Sequence, residues 1–284
     1  MEQQQQQLER TMAATSNGTG AEFRMPDWRR LTDADMVIPC VVYFVFFQLM
    51  GALVRRTCWM HASGFRQYRL RNLTICLLHS VISGGWALCF MLTHTRVMFY
   101  DTMHWYQYWA AQLPMLSMSY FVCDTIDMAK HEFSRWTVEL FVHHIVTVFV
   151  FGVATMARKF IPYAYWALLM EVNSIFLHLR SIILISGTAT EQKGALRAVR
   201  AGNIVTFVVF RFAVQAWQIH WAYVNRAEMH YFFALIGVVG GVIFLIINTV
   251  LFARVLAADG FLGEYGRRHT AINRDADRNA NKRE

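Results

Sequence analysis

The chain has 284 residues, of which 56% are hydrophobic and only 16% are charged, and its formal net charge is +8. An ordinary soluble globule carries about 25% charged residues, so this composition excludes that class. The basic residues lie between and after apolar runs and form no continuous patch with aromatic residues, so they do not indicate a nucleic-acid partner.

The amino-terminal part is polar. It contains a glutamine run, Gln3 to Gln7, and a stretch rich in Ser, Thr, Gly and Asn from Thr11 to Gly20. Such a composition cannot bury a core, so we predict that residues 1–34 form a disordered, non-cytosolic segment. The triplet Asn17-Gly18-Thr19 makes Asn17 a glycosylation candidate on that side of the membrane.

Seven apolar segments follow in chain order. Each is about 18 to 25 residues long, enough to cross a hydrocarbon core about 30 Å thick at 1.5 Å per residue. They cover residues 35–54, 73–92, 108–128, 138–156, 162–185, 203–224 and 231–256. The sequence therefore predicts an all-α polytopic membrane protein with about seven transmembrane helices. We interpret residues 35–64 as a retained first transmembrane helix and its linker rather than a cleaved signal, because a long polar leader precedes them.

The basic residues predict the orientation of these helices. Lys and Arg are about twice as numerous in the first, third and fifth loops and the carboxyl tail as in the amino terminus and the other loops. The positive-inside rule therefore places the amino terminus outside and residues 257–284 in the cytoplasm as a solvated tail. The five cysteines form no CxxC pair and no disulfide spacing, and we interpret them as packing residues.

Ionisable and amide side chains recur inside the apolar segments. Each ionisable group costs roughly 2.5 to 3.5 kcal/mol near a helix centre, so such groups usually face a bundle interior. The chamber candidates are His79, Asp124, Asp127, Glu139, His143, His144, Glu171, Asn173, His178, Arg180 and Arg211, with Gln215 beside them. The alternating helices place most of them toward the cytoplasmic side, which predicts a polar chamber opening there. The alternative is that they form structural pairs holding the helices together.

The adjacent histidines His143 and His144 are the candidate catalytic pair. On a helix they point about 100° apart, so one faces the chamber and could act as a general base in acyl transfer. A di-iron oxygenase is disfavoured, because the chain has no HxxxH or HxxHH cluster, and no zinc spacing is recognisable. We predict no metal and no cofactor.

Two stretches make the sequence recognisable. Glu139-Leu-Phe-Val-His143-His144-Ile-Val-Thr and Leu168-Leu-Met-Glu171-Val-Asn173-Ser174-Ile-Phe-Leu-His178-Leu-Arg180 resemble the core of the TLC domain, which ceramide synthases and several lipid-related membrane proteins share. Arg71-Asn72-Leu73, His79-Ser80, Ser83-Gly84 and Tyr120-Phe-Val-Cys-Asp124-Thr-Ile-Asp127-Met resemble the subgroup that regulates plasma-membrane fluidity. The resemblance spans residues 65–256 and implies a ring of six helices, with the first helix peripheral.

The resemblance also implies alternatives for function. Ceramide synthases transfer acyl groups with paired histidines, which correspond to His143 and His144, but their His-Asp-x-x-Asp motif is replaced here by Glu171-Val-Asn173-Ser174. The fluidity-regulating subgroup implies a multi-pass plasma-membrane protein that limits entry of long-chain polyunsaturated acyl chains into phospholipids, especially phosphatidylethanolamine. Its partner would be a phospholipid or acyl chain, and no reaction comes with that role.

Three hypotheses therefore stay open. The sequence favours the regulator over an enzyme. The rival is an acyl-CoA-dependent acyltransferase of the ceramide-synthase type, with the endoplasmic reticulum as the alternative membrane. A scaffold or transport-associated protein is the third.

Overall fold

The structure is a computed structural model that describes residues 25–131 and 135–263, without the side chains of residues 135–137 and 139. Most of the predicted amino-terminal segment, the glycosylation candidate Asn17 and residues 264–284 of the tail lie outside the described residues. The described residues form helices and no β-strand, which confirms the all-α prediction.

Seven long helices follow one another in the positions of the seven predicted segments. They are α1 Ala34–Thr57, α2 Gly64–Thr93, α3 Tyr108–His131, α4 Arg135–Ala157, α5 Ile161–Ser186, α6 Lys193–Glu228 and α7 Tyr231–Ala258. A 3₁₀ helix at Trp28–Thr32 precedes α1, and a short helix at Thr95–Tyr100 lies between α2 and α3. Both α2 and α6 begin well before their apolar runs, because polar first turns extend the helix beyond the bilayer core.

Six of these helices are long and apolar enough to cross a membrane, and the chain is a multi-pass membrane protein. The exception among the described helices is α3, which carries Asp124 and Asp127 and is buried along most of its length. It runs antiparallel to α4, with Met118 against Gly152 near one end and Thr125 against His144 near the other. A helix enclosed by its neighbours meets little lipid, so it needs fewer apolar residues to cross.

The helices α2 to α7 surround a common interior. α2 packs against α5 and α3, α3 against α4, α5 against α6, and α6 against α7. α4 and α7 complete the ring of helices. The ring centroids of His143 and Phe244 lie 5.0 Å apart, and those of Phe149 and Phe232 lie 6.4 Å apart. α1 packs on α3 and α2 from outside, and exposes Ile38 and Leu49 on its other side.

Three irregularities interrupt the long helices. α5 breaks at Leu169, between Ile161–Leu168 and Met170–Ser186. α6 contains a π-helical turn at Val208–Ala213, and α7 contains another at Ile236–Gly240. A π turn shifts the direction of the side chains that follow and is frequent at functional sites. The turn in α6 carries Arg211, the one basic residue of its last turn.

Candidate functional site

Glu171 is the carboxylate of the ring interior. The hydroxyl of Ser80 donates a hydrogen bond of 2.6 Å to Oε2 of Glu171, and Nδ1 of His79 lies 3.8 Å from the same oxygen. The Glu171 side chain keeps 16% of its surface exposed, although six helices surround it. A carboxylate from α5 therefore meets α2 in the interior and retains accessible surface.

A glycine explains how α2 and α5 come this close. A Cβ at Gly84 would lie 2.8 Å from the backbone nitrogen of Val172 and 3.0 Å from the backbone carbonyl carbon of Glu171. No real side chain tolerates such distances to backbone atoms, so only glycine allows the two helices to touch here. Small residues serve membrane helices in this way because close backbone approach replaces the missing hydrophobic drive. Gly84 thereby brings Ser80, one turn earlier, within reach of Glu171.

His79 is completely buried between α2 and α3. Its Nε2 lies 3.2 Å from the hydroxyl of Ser117, and its ring stacks on Tyr120 with centroids 3.8 Å apart. The edge of Phe47 from α1 also contacts the ring. His79 is therefore held in a fixed orientation by packing.

Arg211 donates a hydrogen bond from each of its three guanidinium nitrogens. Its Nε donates to Oδ1 of Asn173 at 2.7 Å, Nη1 donates to Oδ1 of Asn248 at 2.8 Å, and Nη2 donates to the hydroxyl of Ser174 at 2.9 Å. These bonds join α5, α6 and α7 at one point. Charge-assisted hydrogen bonds of this kind are the strong ones, and each nitrogen of the guanidinium is engaged.

Asn173 extends this network to the first half of α6. Its Nδ2 lies 3.0 Å from the backbone oxygen of Asn203, 2.9 Å from the side-chain oxygen of Asn203 and 3.0 Å from the hydroxyl of Thr206. Asn173 and Asn203 are both fully buried. The amide nitrogen of Asn173 therefore donates to the first half of α6, and its amide oxygen accepts from Arg211.

His143 and His178 differ from these residues, because neither imidazole makes a hydrogen bond with any residue in the described ranges. Both are partly exposed. His143 is close enough to Arg211 and Glu171 to interact electrostatically with both, and His178 interacts with Glu171, Arg211 and His79. Two imidazoles with open nitrogen atoms thus flank the interior carboxylate.

His144, by contrast, is buried and partnered. Its Nδ1 lies 3.2 Å from the hydroxyl of Thr125, and its Nε2 lies 3.7 Å from Oδ2 of Asp124. Asp124 in turn accepts a hydrogen bond of 2.7 Å from the amide of Asn72. The two adjacent histidines therefore have separate surroundings: His143 faces the interior, and His144 faces α3.

The remaining predicted residues lie elsewhere. Arg180 binds Asp259 with both Nε and Nη2 at the far end of α5, where Arg200 also approaches that carboxylate. Asp127 is 34% exposed near the end of α3 and lies 3.7 Å from His131. Gln215 is buried in α6. The side chain of Glu139 lies outside the described side chains.

Several uncharged partners were not among the chamber candidates, although Asn72 and Ser80 lie in the stretches that carry the family resemblance. They are Asn72, Ser80, Ser117, Asn203, Thr206 and Asn248. They are small polar residues within apolar runs, a weak signal because Ser and Thr also bond to their own helix backbone. Asn248 was the detectable one, since an asparagine within the most apolar helix is costly unless it is partnered.

The chemistry of the site follows from these distances. Among the described side chains, the histidine–carboxylate approaches are 3.8 Å for His79 and Glu171 and 3.7 Å for both His144 with Asp124 and His131 with Asp127. These distances are longer than a hydrogen bond, so none of these carboxylates holds a ring as in a catalytic triad. Within the described residues, no group of three His, Cys, Asp or Glu side chains lies close enough to hold a metal ion. The open nitrogens of His143 and His178 and the exposed part of Glu171 can bind a polar group that enters the interior.

Comparison with known proteins finds one family. A sequence profile described as the TLC domain matches residues 69–257. TLC domain-containing protein 2 of Danio rerio is 33% identical over 193 residues, covering 68% of this chain and 77% of that protein. The human protein of that name is 28% identical over 216 residues, covering 76% and 81%. TLC domain-containing protein 1 of Gallus gallus is 28% identical over 244 residues, covering 83% and 91%.

Proposed function

The chain belongs to the TLC-domain family, and from this premise we propose that it regulates the acyl-chain composition of membrane phospholipids. In this proposal the protein limits the incorporation of long-chain polyunsaturated fatty acids into phospholipids such as phosphatidylethanolamine, and thereby sets the fluidity of the plasma membrane. It does so by binding a phospholipid or an acyl chain within the ring of α2 to α7.

One observation carries the proposal: the interior combines a partly exposed carboxylate, Glu171, with two imidazoles that have open nitrogen atoms, His143 and His178. Ionisable groups in membrane helices are costly and mark functional sites when no structural partner accounts for them. Apolar helices surround these groups. A ligand with one polar end and a long apolar part matches such an interior.

The geometry supports binding more than turnover. His144 is buried against α3, and His79 stacks on Tyr120, so neither ring is accessible to a second reactant. His143 is accessible but has no hydrogen-bonded carboxylate to orient it, within the residues described. A general base needs a defined position relative to the proton it removes, whereas a binding group does not.

The test compares phospholipids from cells that lack the protein with cells expressing the wild type or the variant His143→Ala/His178→Ala. We expect deletion to raise polyunsaturated chains in phosphatidylethanolamine, the wild type to reverse this, and the double variant not to. His220→Ala is the matched control, because His220 is an exposed histidine of a membrane helix away from the interior. Unchanged polyunsaturated content after deletion contradicts the proposal.

The second candidate function is an acyl-CoA-dependent acyltransferase. The open imidazole of His143 beside Glu171 favours it, since an unbonded ring nitrogen could accept a proton from an attacking hydroxyl or amine. Purified protein with radiolabelled acyl-CoA and a lipid acceptor distinguishes the two. Acyl transfer that His143→Ala abolishes supports the enzyme, and lipid binding without transfer supports the regulator.

A further inference from the structure

A cavity lies outside the ring, between α1, α2 and α3. Its volume is about 380 Å³, within the range of small-molecule pockets. α1 forms its outer wall with Gln48, Gly51 and Arg55, and all of α1 precedes the residues that match the TLC domain. Tyr120 and Asp124 form the inner wall. The peripheral helix therefore adds a pocket that the domain alone does not enclose.

The mouth of this pocket is basic. Arg55 lies near the end of α1, Lys130 near the end of α3 and Arg71 near the start of α2, so all three lie at the same end of the bundle. Arg55 and Lys130 are exposed and form no hydrogen bond or ion pair with the described parts of the chain. Arg71 donates to the backbone oxygen of Cys58. Two of the three cations are thus free to bind an anion.

Gly51 lets Arg55 fold back over α1. A Cβ at Gly51 would lie 3.3 Å from Nη1 of Arg55, one turn further along the helix. Because both residues line the pocket, the guanidinium lies over its wall. A larger side chain at this position would displace it.

Away from its mouth the pocket has an apolar side, formed by Phe47 and Ile75, beside the polar Gln48 and Asp124. Phe47 lies eight residues before Arg55, about 12 Å deeper at 1.5 Å per residue, and Ile75 lies on the facing helix. A site that is cationic at the membrane surface and apolar toward the bilayer centre matches an amphiphile with an anionic headgroup. Phosphate is the anionic group that membrane lipids offer at this depth.

Of the two carboxylates that line the pocket, Asp127 accepts no side-chain hydrogen bond from the part of the chain that the structure describes. Oδ1 of Asp127 lies 3.7 Å from Nδ1 of His131, too far for a hydrogen bond, and its side chain is one-third exposed. A phosphate beside Arg55 and Lys130 would leave this acceptor unused. A primary ammonium carries three N–H donors that a carboxylate can accept, whereas a trimethylated ammonium carries none.

We propose that the pocket between α1, α2 and α3 binds a phospholipid whose headgroup carries a phosphate and a primary ammonium. Arg55 and Lys130 bind the phosphate, Asp127 accepts from the ammonium, and an acyl chain extends along Phe47 and Ile75. This binding is separate from the regulation proposed for the ring interior.

The experiment uses the full-length protein in detergent micelles, with bound lipid counted by native mass spectrometry. Phosphatidylethanolamine and phosphatidylcholine with identical acyl chains are compared. We expect the former to bind about tenfold more tightly, the scale of one charge-assisted hydrogen bond. Asp127→Val removes both acceptor oxygens and should abolish this preference. Equal binding of both lipids to the wild type, or a preference that survives Asp127→Val, overturns the proposal.

The phosphate is tested with Arg55→Gln/Lys130→Gln, which should weaken the binding of both lipids. Arg56→Gln is the matched control, because Arg56 is an exposed neighbour in α1 that does not line the pocket. Gly51→Val should act like the double variant without changing any charge. If Arg56→Gln weakens binding as much as the double variant, the charge of α1 acts nonspecifically and the pocket is not the site.

Two further arms identify the source of the headgroup and separate the two proposals. Soluble glycerophosphoethanolamine that binds as tightly as the lipid would contradict a lipid site, and so would preferential binding of acyl-CoA. In cells that express Arg55→Gln/Lys130→Gln, the acyl composition of the phospholipids is measured. Weakened lipid binding by the double variant in micelles, together with a normal acyl composition in cells, supports two independent sites. If the double variant binds both lipids as tightly as the wild type, the lipid site in this pocket is contradicted, and the function proposed for the ring interior is not affected.

Discussion

Arg211 and His143 lie in the same interior, yet they have opposite surroundings. Arg211 donates a hydrogen bond from each of its three nitrogen atoms, to Asn173, Asn248 and Ser174, so its guanidinium is held by two neighbouring helices. His143 makes no hydrogen bond to a described residue and keeps part of its surface exposed. Both would be counted together as intramembrane polar residues, although one joins helices and the other is available for binding.

The sequence left two interpretations of the polar residues, structural pairs or a binding chamber, and each interpretation fits a different region of the interior. On the side of α6 and α7, Arg211 bonds to Asn173, Ser174 and Asn248, which stabilises the contact between helices where lipid provides no hydrophobic drive. On the side of α2 and α4, Glu171, His143 and His178 have unused acceptors and donors. For Arg211 and His143, the hydrogen bonds that each side chain makes, rather than its depth or charge, distinguish the structural residue from the functional one.

The largest effect is expected at Arg211. Arg211→Met leaves three buried acceptors without a donor, and removing one member of a buried charged network typically costs about 3 to 5 kcal/mol. We expect a large loss of thermal stability in detergent micelles, measured by fluorescence-detected size exclusion after heating. Arg197→Met, at an exposed position of α6, is the control. An Arg211→Met protein as stable as the wild type would show that the hydrogen bonds of Arg211 do not hold α5, α6 and α7 together.

A smaller loss is expected at Gly84. Gly84→Ala drives a methyl group into the backbone of Val172, and such overpacking costs about 1 to 3 kcal/mol. The same variant moves Ser80 away from Glu171. Gly85→Ala is the matched control, because a Cβ there meets nothing within 4 Å. Thermal stability of both variants tests this, and equal stabilities would contradict the close approach of α2 and α5.

The two adjacent histidines provide the sharpest version of the comparison. His144→Ala removes a buried, partnered ring and leaves Asp124 with one partner fewer, so we expect a loss of about 1 to 3 kcal/mol. His143→Ala removes an open ring and should cost less than about 1 kcal/mol. Denaturation of the two variants in micelles measures the order, and a larger loss for His143→Ala would contradict it.

We expect the two variants to affect function in the opposite order to stability. Among variants produced at wild-type level, His143→Ala should abolish the effect on phospholipid acyl chains, because its ring faces the interior, whereas His144→Ala should retain most of it. Lipid analysis of cells expressing each variant at matched protein level tests this. Equal loss in both variants would indicate that the histidines act as one unit, as in an acyltransferase pair.

The sequence predicted the helices well and their contacts poorly. Apolar length is a local property, so seven segments could be located, but the ends of α2 and α6 were missed because their first turns are polar. Glu171, Asn173, His178 and Arg211 were selected by cost of burial, and they do lie together. Which of them are satisfied depends on uncharged partners such as Asn248 and Ser174 that only the packing of helices brings near.

Arg180 shows the same limit. Its depth in α5 suggested the chamber, but its partner Asp259 follows α7, in the part of the chain predicted to be a solvated tail. The carboxylate of Asp259 is fully buried between Arg180 and Arg200. A pair separated by 79 positions leaves no local signal in either segment.

Enclosure of α3 places a demand on how the chain enters the bilayer. A segment that falls below the apolarity of its six companions partitions weakly into lipid by itself, and Asp124 and Asp127 add to that cost. Its entry must then be coupled to a neighbour that covers its polar side. α4, the next segment to be synthesised, supplies His144 to Asp124. Defects in α4 should therefore appear during biogenesis, as chains with α3 left outside the membrane, before any folded protein exists to lose activity.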